Sequence, residues 1–235
     1  MPEKEHKKIV VLTGAGISAE SGLATFRGAD GLWEGYDIAD VASIQGWQRD
    51  PKKVLDFYNL RREQAAEAEP NLAHRALADL EKYFDVQIIT QNVDDLHERG
   101  GSSNVMHLHG ELNKACSSSD KKIVVNIGSK PIELGDLAKD GSQLRPYVVW
   151  FGEMVPMIEP ASHKVAEADI LIVIGTSLAV YPAAGLVNNA SHNIPKYLID
   201  PTIPEIMDRE VWIFLKENAG TGTPKLVKKL IKQYN

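Results

Sequence analysis

The chain has 235 residues, 43% hydrophobic and 25% charged, a balance ordinary for a globular protein and unlike a disordered chain, a collagen or a coiled coil. Its 26 basic and 32 acidic side chains leave a net charge of -6 with no long block of either sign, so direct nucleic-acid binding is not expected, because phosphate neutralisation needs a concentrated basic surface. The single cysteine, Cys116, excludes an internal disulfide and a four-cysteine zinc site.

In chain order, the polar start Met1 to Lys8 lacks the apolar core of a signal peptide. Ile9 to Leu12 then reads as a strand covered on both faces. Ala29 to Glu69 is mostly helical with no convincing strand, and Asn71 to Phe84 carries Leu72, Ala76, Leu77 and Leu80 at helical spacing. Val86 to Thr90 is a second strand and Val105 to Leu108 a weaker one. Asn113 to Gln143 is polar, apart from the short run Ile123-Val124-Val125. Ile170 to Ile174 is the clearest strand. It opens an uncharged stretch to Val187 that approaches the length of a membrane span, but Gly175, Pro182 and the β-branched start favour a strand, a loop and a helix. Lys196 to Ile199 and Trp212 to Leu215 follow. Thr223-Pro224 opens a closing helix whose lysines 225, 228, 229 and 232 form its solvated face.

Strands alternating with helices predict an α/β fold: a Rossmann-like parallel sheet with helices on both faces, plus a smaller lobe built from two insertions. Residues 1–28, 70–112 and 144–235 form the sheet domain. The helical insertion 29–69 and the polar insertion 113–143 form the lobe. A cytoplasmic monomer is expected.

Gly14-Ala15-Gly16-Ile17-Ser18-Ala19 follows the first strand and matches the dinucleotide pattern, in which glycines let the backbone approach pyrophosphate and a helix N-terminus faces its charge. The acidic residue expected about twenty positions on is missing, and Phe26-Arg27-Gly28 and helical sequence stand there instead. That disfavours an ordinary dehydrogenase. Gln91-Asn92-Val93-Asp94 follows another strand, where ligands of open α/β sheets bind. Asn92 or Asp94 equally suits an Asx-type helix cap. In His107-Leu108-His109-Gly110 the histidines suit metal binding, a general base or a structural role.

Together with Val149-Trp150-Phe151-Gly152-Glu153 and Gly175-Thr176-Ser177, these blocks occur in the order found in sirtuins, and the chain resembles that family of NAD-dependent protein-lysine deacylases over nearly its whole length. The resemblance implies NAD contacts by Gly14, Ala15, Gly16 and Ser18 at the phosphates and by Arg27 on a cofactor loop. Gln91 and Asn92 would face the ribose beside nicotinamide, with Asn92 in the catalytic set, and Asp94 would hold the carboxamide. Gly175, Thr176, Ser177, Asp200 and Ala219 would serve the adenosine half, Asp200 standing where the family usually has Asn. Val149, Phe151 and Gly152 would flank an acyl-lysine tunnel and bind the peptide as an added strand. His109 would be the general base. In the reaction so implied, the acyl oxygen displaces nicotinamide, His109 deprotonates a ribose hydroxyl, and water releases lysine and O-acyl-ADP-ribose. Mono-ADP-ribosyl transfer and a catalytically weak NAD-sensing module are the alternatives.

Tyr58 and Arg61 share one helix face by spacing, and a surface salt bridge of Arg61 with Glu63 or Asp56 is the plain reading. With Ala19, the pair resembles desuccinylase-type (class III) sirtuins of bacterial type, implying recognition of succinyl- or malonyl-lysine alongside acetyl-lysine. Sirtuins commonly carry zinc on two C-x-x-C pairs. Here the four positions read Cys116, Ser119, Leu137 and Asp140, so no metal is expected.

Overall fold

The computed structural model describes residues 6–25, 32, 33 and 35–234. Its elements in chain order begin with β1 (Lys8–Thr13), two short 3-10 turns, β2 (Leu32–Trp33), β3 (Tyr36–Asp37), α1 (Ile38–Val41), α2 (Ile44–Arg49) and α3 (Pro51–Glu67). Then come α4 (Leu72–Leu80), β4 (Asp85–Thr90), α5 (Leu96–Arg99), β5 (Val105–His107), β6 (Gly110–Ser117), β7 (Val124–Asn126) and β8 (Leu144–Val148). The chain continues through α6 (Ile158–Ala166), β9 (Ile170–Ile174), β10 (Lys196–Ile199), β11 (Trp212–Leu215) and α7 (Ala219–Tyr234).

Six parallel strands form one sheet in the order β5-β4-β1-β9-β10-β11. This is the doubly wound order, whose direction reverses between β1 and β9. Side chains alternate across a strand, and the core divides accordingly. Ile9, Val11, Ile88 and Ile172 pack against Leu77 and Leu80 of α4 and Leu226 and Leu230 of α7. Val10, Leu12, Leu171 and Val173 pack on the opposite face against Ala161 and Val165 of α6 and the 3-10 segment Ala183–Asn189. All five residues of β9 are buried, as its continuous apolar run requires.

A separate antiparallel sheet, β7-β6-β8, and helices α1 to α3 stand beside the strand ends. Helix α3 starts where its sequence prescribes: Pro51 occupies the first turn and the Asp50 side chain accepts from the Lys53 N–H. It buries Val54, Phe57 and Tyr58 against Val41, Val148 and Trp150.

Several expectations need correction. The segment 29–69 holds a short hairpin, β2-β3, beside its helices. Strands β6 and β8 are not evident in the sequence, because their apolar positions follow no strict alternation and pairing defines them. Helix α7 begins before Thr223-Pro224, at Ala219, because the Asn218 carbonyl accepts from the N–H groups of Thr221 and Gly222. After Gly14 there is no α-helix N-terminus: the chain forms 3-10 turns at Ala15–Ile17 and Ala19–Ser21, closed by Gly22 in the left-handed region. Among the described residues no helix is long and apolar enough to cross a membrane.

Two buried histidines join β1 to the helices beside it. The Asn71 N–H donates to His74 Nδ1, His97 Nε2 meets Thr13 Oγ1 at 3.0 Å, and the two rings meet edge-on with centroids 4.9 Å apart. Burial pulls His74 down to about 4 and His97 well below the ordinary histidine value. The unfolded chain therefore binds protons at these histidines from about pH 6.5 downward, whereas the folded chain refuses them, at His74 until about pH 4, and stability falls as pH drops through that window. Denaturant titrations between pH 7 and pH 4 should show this loss, and His74→Gln should flatten it. An unchanged pH slope in the variant would refute the assignment.

Candidate active site

The loops after β1, β4 and β9 meet the small lobe in one cleft at the strand ends, where the sheet order reverses. The backbone locks the first and last of these loops together. Gly16 N–H donates to the Gly175 carbonyl at 2.8 Å, and Gly14 N–H to the Ile174 carbonyl at 3.1 Å. A side chain on Gly16 would come within 2.7 Å of Gly175, and one on Gly175, at φ +61°, within 2.3 Å of the Ile17 nitrogen. Only glycine fits this contact.

Gly14, Ala15, Gly16 and Ser18 line one side of the cleft, and Gly175, Thr176 and Ser177 lie beside them. The Gln91 side chain donates to Thr176 Oγ1 at 3.2 Å. Deeper in, Asn92 Nδ2 donates to Ser18 Oγ and Ser18 Oγ donates to Asp94 Oδ2, each at 3.1 Å. Burial raises the Asp94 pKa, against the opposing pull of the Leu96 N–H and the Ser18 hydroxyl. This chain fixes which amide and carboxylate edges remain for a ligand.

His109 also lines the cleft. Its Nδ1 is 3.0 Å from the Gln91 carbonyl. A carbonyl only accepts, so Nδ1 carries the proton and the lone pair is on Nε2. Burial lowers the His109 pKa despite that carbonyl, which keeps the ring neutral. His107, two residues earlier, is built the other way. It donates to the Asn92 carbonyl at 3.0 Å and to Glu98 at 2.8 Å. Burial opposes its charge, but the Glu98 carboxylate outweighs burial and raises its pKa. The two imidazoles therefore do not converge on a metal, and no metal-holding cluster of three His, Cys, Asp or Glu groups exists among the described residues.

Tyr58, Arg61, Val149, Phe151 and Gly152 complete the cleft. Arg61 is only 6% exposed. It donates to Gln64 at 3.2 Å and lies 5.0 Å from the Trp33 ring centre, while Asp56 pairs with Lys52 on the outer face. The bridges expected of Arg61 with Glu63 or Asp56 are therefore not formed. Asp200 and Ala219 are not in the cleft wall: Asp200 is buried and accepts from the Thr202 N–H at 2.8 Å, and Ala219 packs into the core with Ile17. Arg27 lies outside the described residues. The sequence reading does not single out Trp33, Ala42, Leu112 and Trp150, which also form the wall. The tryptophans beside predicted site segments were the available signal.

The loop after β8 is held by buried charge. Arg145 donates to Glu153 at 2.9 Å and to the Val148 carbonyl at 3.0 Å, and Lys121 reaches Glu153 from the lobe at 2.5 Å. At the lobe's tip, Ser117 Oγ donates to Asp140 at 2.7 Å and accepts from the N–H groups of Ser119 and Asp120. Ser142 Oγ donates to Ser119 Oγ at 2.8 Å.

Comparison with known proteins gives a consistent result. Residues 14–182 match the model of the Sir2 family. A Helicobacter pylori protein named NAD-dependent protein deacylase is 54% identical over 96% of this chain and 98% of its own length. A Bacteroides thetaiotaomicron protein of the same name is 52% identical, with 96% and 98% covered. A crystal structure described as a Sir2 homolog–NAD complex superposes with a TM-score of 0.88 at 41% identity, covering 98% of this chain and 92% of the other.

Proposed function

The chain belongs to the Sir2 family and is an NAD-dependent protein deacylase, and from that premise we propose that it removes succinyl and malonyl groups as well as acetyl from substrate lysines. The observation that carries this reading is the buried Arg61 on the cleft wall beside Tyr58. A guanidinium in such a setting favours an anionic guest, because a carboxylate offers it charge-assisted, paired hydrogen bonds. Tyr58 adds a phenol that burial holds in its protonated, donating form.

NAD suits the rest of the cleft: its lining brings together Gly14, Ala15 and Gly16 after β1 with Gly175 after β9, glycine-rich backbone that a pyrophosphate can approach closely. Gly14, Ala15, Gly16 and Ser18 would hold its phosphates together with Gly175, Thr176 and Ser177. Gln91, Asn92 and Asp94 would serve the nicotinamide ribose and carboxamide. When bound, NAD supplies a ribose carbon that gives up nicotinamide and takes the acyl oxygen of the lysine. His109 is the base: its Nε2 lone pair accepts a hydroxyl proton while Nδ1–H stays on the Gln91 carbonyl. Val149, Phe151 and Gly152 would receive the peptide.

A structural zinc does not fit this chain. Cys116 is buried with its Sγ 3.9 Å from the Pro146 carbonyl, and burial pushes its thiol up, away from the thiolate a metal needs. Ser119 and Asp140 belong to the hydrogen-bonded tip, and Leu137 has no donor atom. We infer that hydrogen bonds close the lobe without metal. Metal analysis of the pure protein should find only substoichiometric zinc, and a chelator should leave the melting temperature unchanged. A full equivalent of zinc would overturn this.

Nicotinamide release with acetyl- and succinyl-lysine versions of one peptide tests the acyl reading. Succinyl turnover is expected, and Arg61→Met should lower succinyl kcat/KM by about tenfold or more relative to acetyl. Equal loss on both peptides would refute carboxylate recognition. Release with neither peptide would move the activity away from deacylation.

The base assignment gives a separate pH signature. With the His109 pKa lowered by burial, kcat/KM should stay level through neutrality and fall on the acid side below about pH 6.5. His109→Asn should cost about 100-fold or more. An acid limb above pH 7 would contradict the burial argument.

A further inference from the structure

Tyr58 and Arg61 share a cleft wall with Trp150, and the Trp150 indole Nε1–H donates to the Tyr58 hydroxyl at 3.2 Å in the buried interior. An indole N–H cannot accept, so the direction of this bond is fixed. The phenol oxygen receives, and its own hydrogen must point away from Trp150. Burial keeps that hydrogen on the oxygen, so the hydroxyl remains a donor.

Trp150 has little freedom to turn aside. Its ring lies against the Arg145 guanidinium, 3.3 Å from the ring centre, and against Trp47 with centroids 5.6 Å apart. Its backbone N–H donates to Glu153 at 2.9 Å, and Glu153 is itself paired with Arg145 and Lys121. The side chain that orients Tyr58 is thus fixed by a buried ion pair and by the small lobe.

We propose that Trp150 is a specificity-determining positioning residue, whose indole N–H turns the Tyr58 hydroxyl so that its proton, together with Arg61, meets the terminal carboxylate of a dicarboxylic acyl-lysine. This rests on the reading of Tyr58 and Arg61 as the carboxylate site. The effect is selective by chemistry. An acetyl group ends in a methyl and has no oxygen there to receive the proton, so the orientation of Tyr58 matters to the acidic acyl group alone. Polarisation adds to orientation, because a hydroxyl that accepts one hydrogen bond donates the next more strongly.

The test compares kcat/KM on succinyl and acetyl forms of one peptide in the wild type, Trp150→Phe, Tyr58→Phe, the double variant and Arg61→Met. Trp150→Phe should lower the succinyl-to-acetyl ratio by about tenfold, chiefly through the succinyl KM. In the Tyr58→Phe background the same change should do nothing further to the ratio. An isosteric benzothiophene in place of the Trp150 indole keeps the packing, lacks the N–H, and should reproduce the loss should phenylalanine impair folding. A wild-type ratio in both Trp150 variants, with Arg61→Met still lowering it, would overturn the role of Trp150 and leave the carboxylate site standing. A ratio that Arg61→Met does not move would overturn the carboxylate site and this inference with it.

Discussion

The geometry of the cleft depends on one contact, the backbone approach of Gly16 to Gly175. The loops after β1 and β9 leave adjacent parallel strands at the reversal of the sheet order, and nothing larger than hydrogen fits between them. The Gly16 N–H bond to the Gly175 carbonyl closes that gap. From there the register runs outward: Gln91 reaches Thr176, and Asn92, Ser18 and Asp94 follow as a hydrogen-bonded chain. Since β1 and β9 are buried on both faces, the loops inherit the rigidity of the core. This is how a chain without a metal-holding cluster among the described residues keeps polar edges in fixed directions.

The part of the cleft lined by Tyr58, Arg61 and Trp150 is held by different means. Here the glycine contact has no reach, and buried charge does the positioning. Arg145 and Glu153 are each about 5% exposed at the side chain, a setting in which an unpaired ion would be costly. They pair with each other, Arg145 also donates to the Val148 carbonyl, and Glu153 also accepts from the Trp150 N–H. Arg62 shows the limit of such placement. It is buried and gives its donors to the Leu112 carbonyl and Asn59, with no ion partner within salt-bridge distance among the described residues, and burial lowers its pKa to about 10. Neutral acceptors tie α3 to β6 and Asn59 ties α3 to Ile132, so the helix carrying Tyr58 and Arg61 is fastened to the lobe on its far side.

The parts of the fold legible in sequence were those whose signal is local. Ile9 to Leu12 and Ile170 to Ile174 are continuous apolar runs because both faces are covered, and the glycines after them mark turns that no other residue could make. Strands β6 and β8 gave no such signal, since they are half-exposed, polar and bulged, with a register shift between Gly110 and Ala115. Their partners, not their own pattern, make them strands. The site followed the same division. Residues inside glycine-rich or strand-end motifs were readable, and Tyr58 and Arg61 were visible as one helix face. Trp150 was not singled out, because its importance lies in a hydrogen bond to a residue 92 positions away. The start of α7 was misread because Thr223-Pro224 resembles a helix entry, whereas the Asn218 carbonyl begins the helix a turn earlier.

The histidines show why residue type alone underdetermines chemistry. His74, His97, His107 and His109 are all largely removed from solvent, and burial disfavours the charge on each. Their partners decide the outcome. His107 faces a carbonyl and a carboxylate, and the carboxylate favours its charged form and raises its pKa. His109 faces one carbonyl, so it holds one proton, and its other nitrogen is a base. His74 accepts a backbone N–H, and His97 meets a hydroxyl, neither of which compensates a charge, so both stay neutral as packing. Separated by two residues, His107 and His109 have pKa values shifted in opposite directions, because Gln91 and Asn92 turn successive carbonyls toward them and Glu98 reaches only the first. The His107 ring is held on the Asn92 carbonyl and the His109 ring on the Gln91 carbonyl, so one loop carries both the ligand-facing amides and the acceptors that orient each ring.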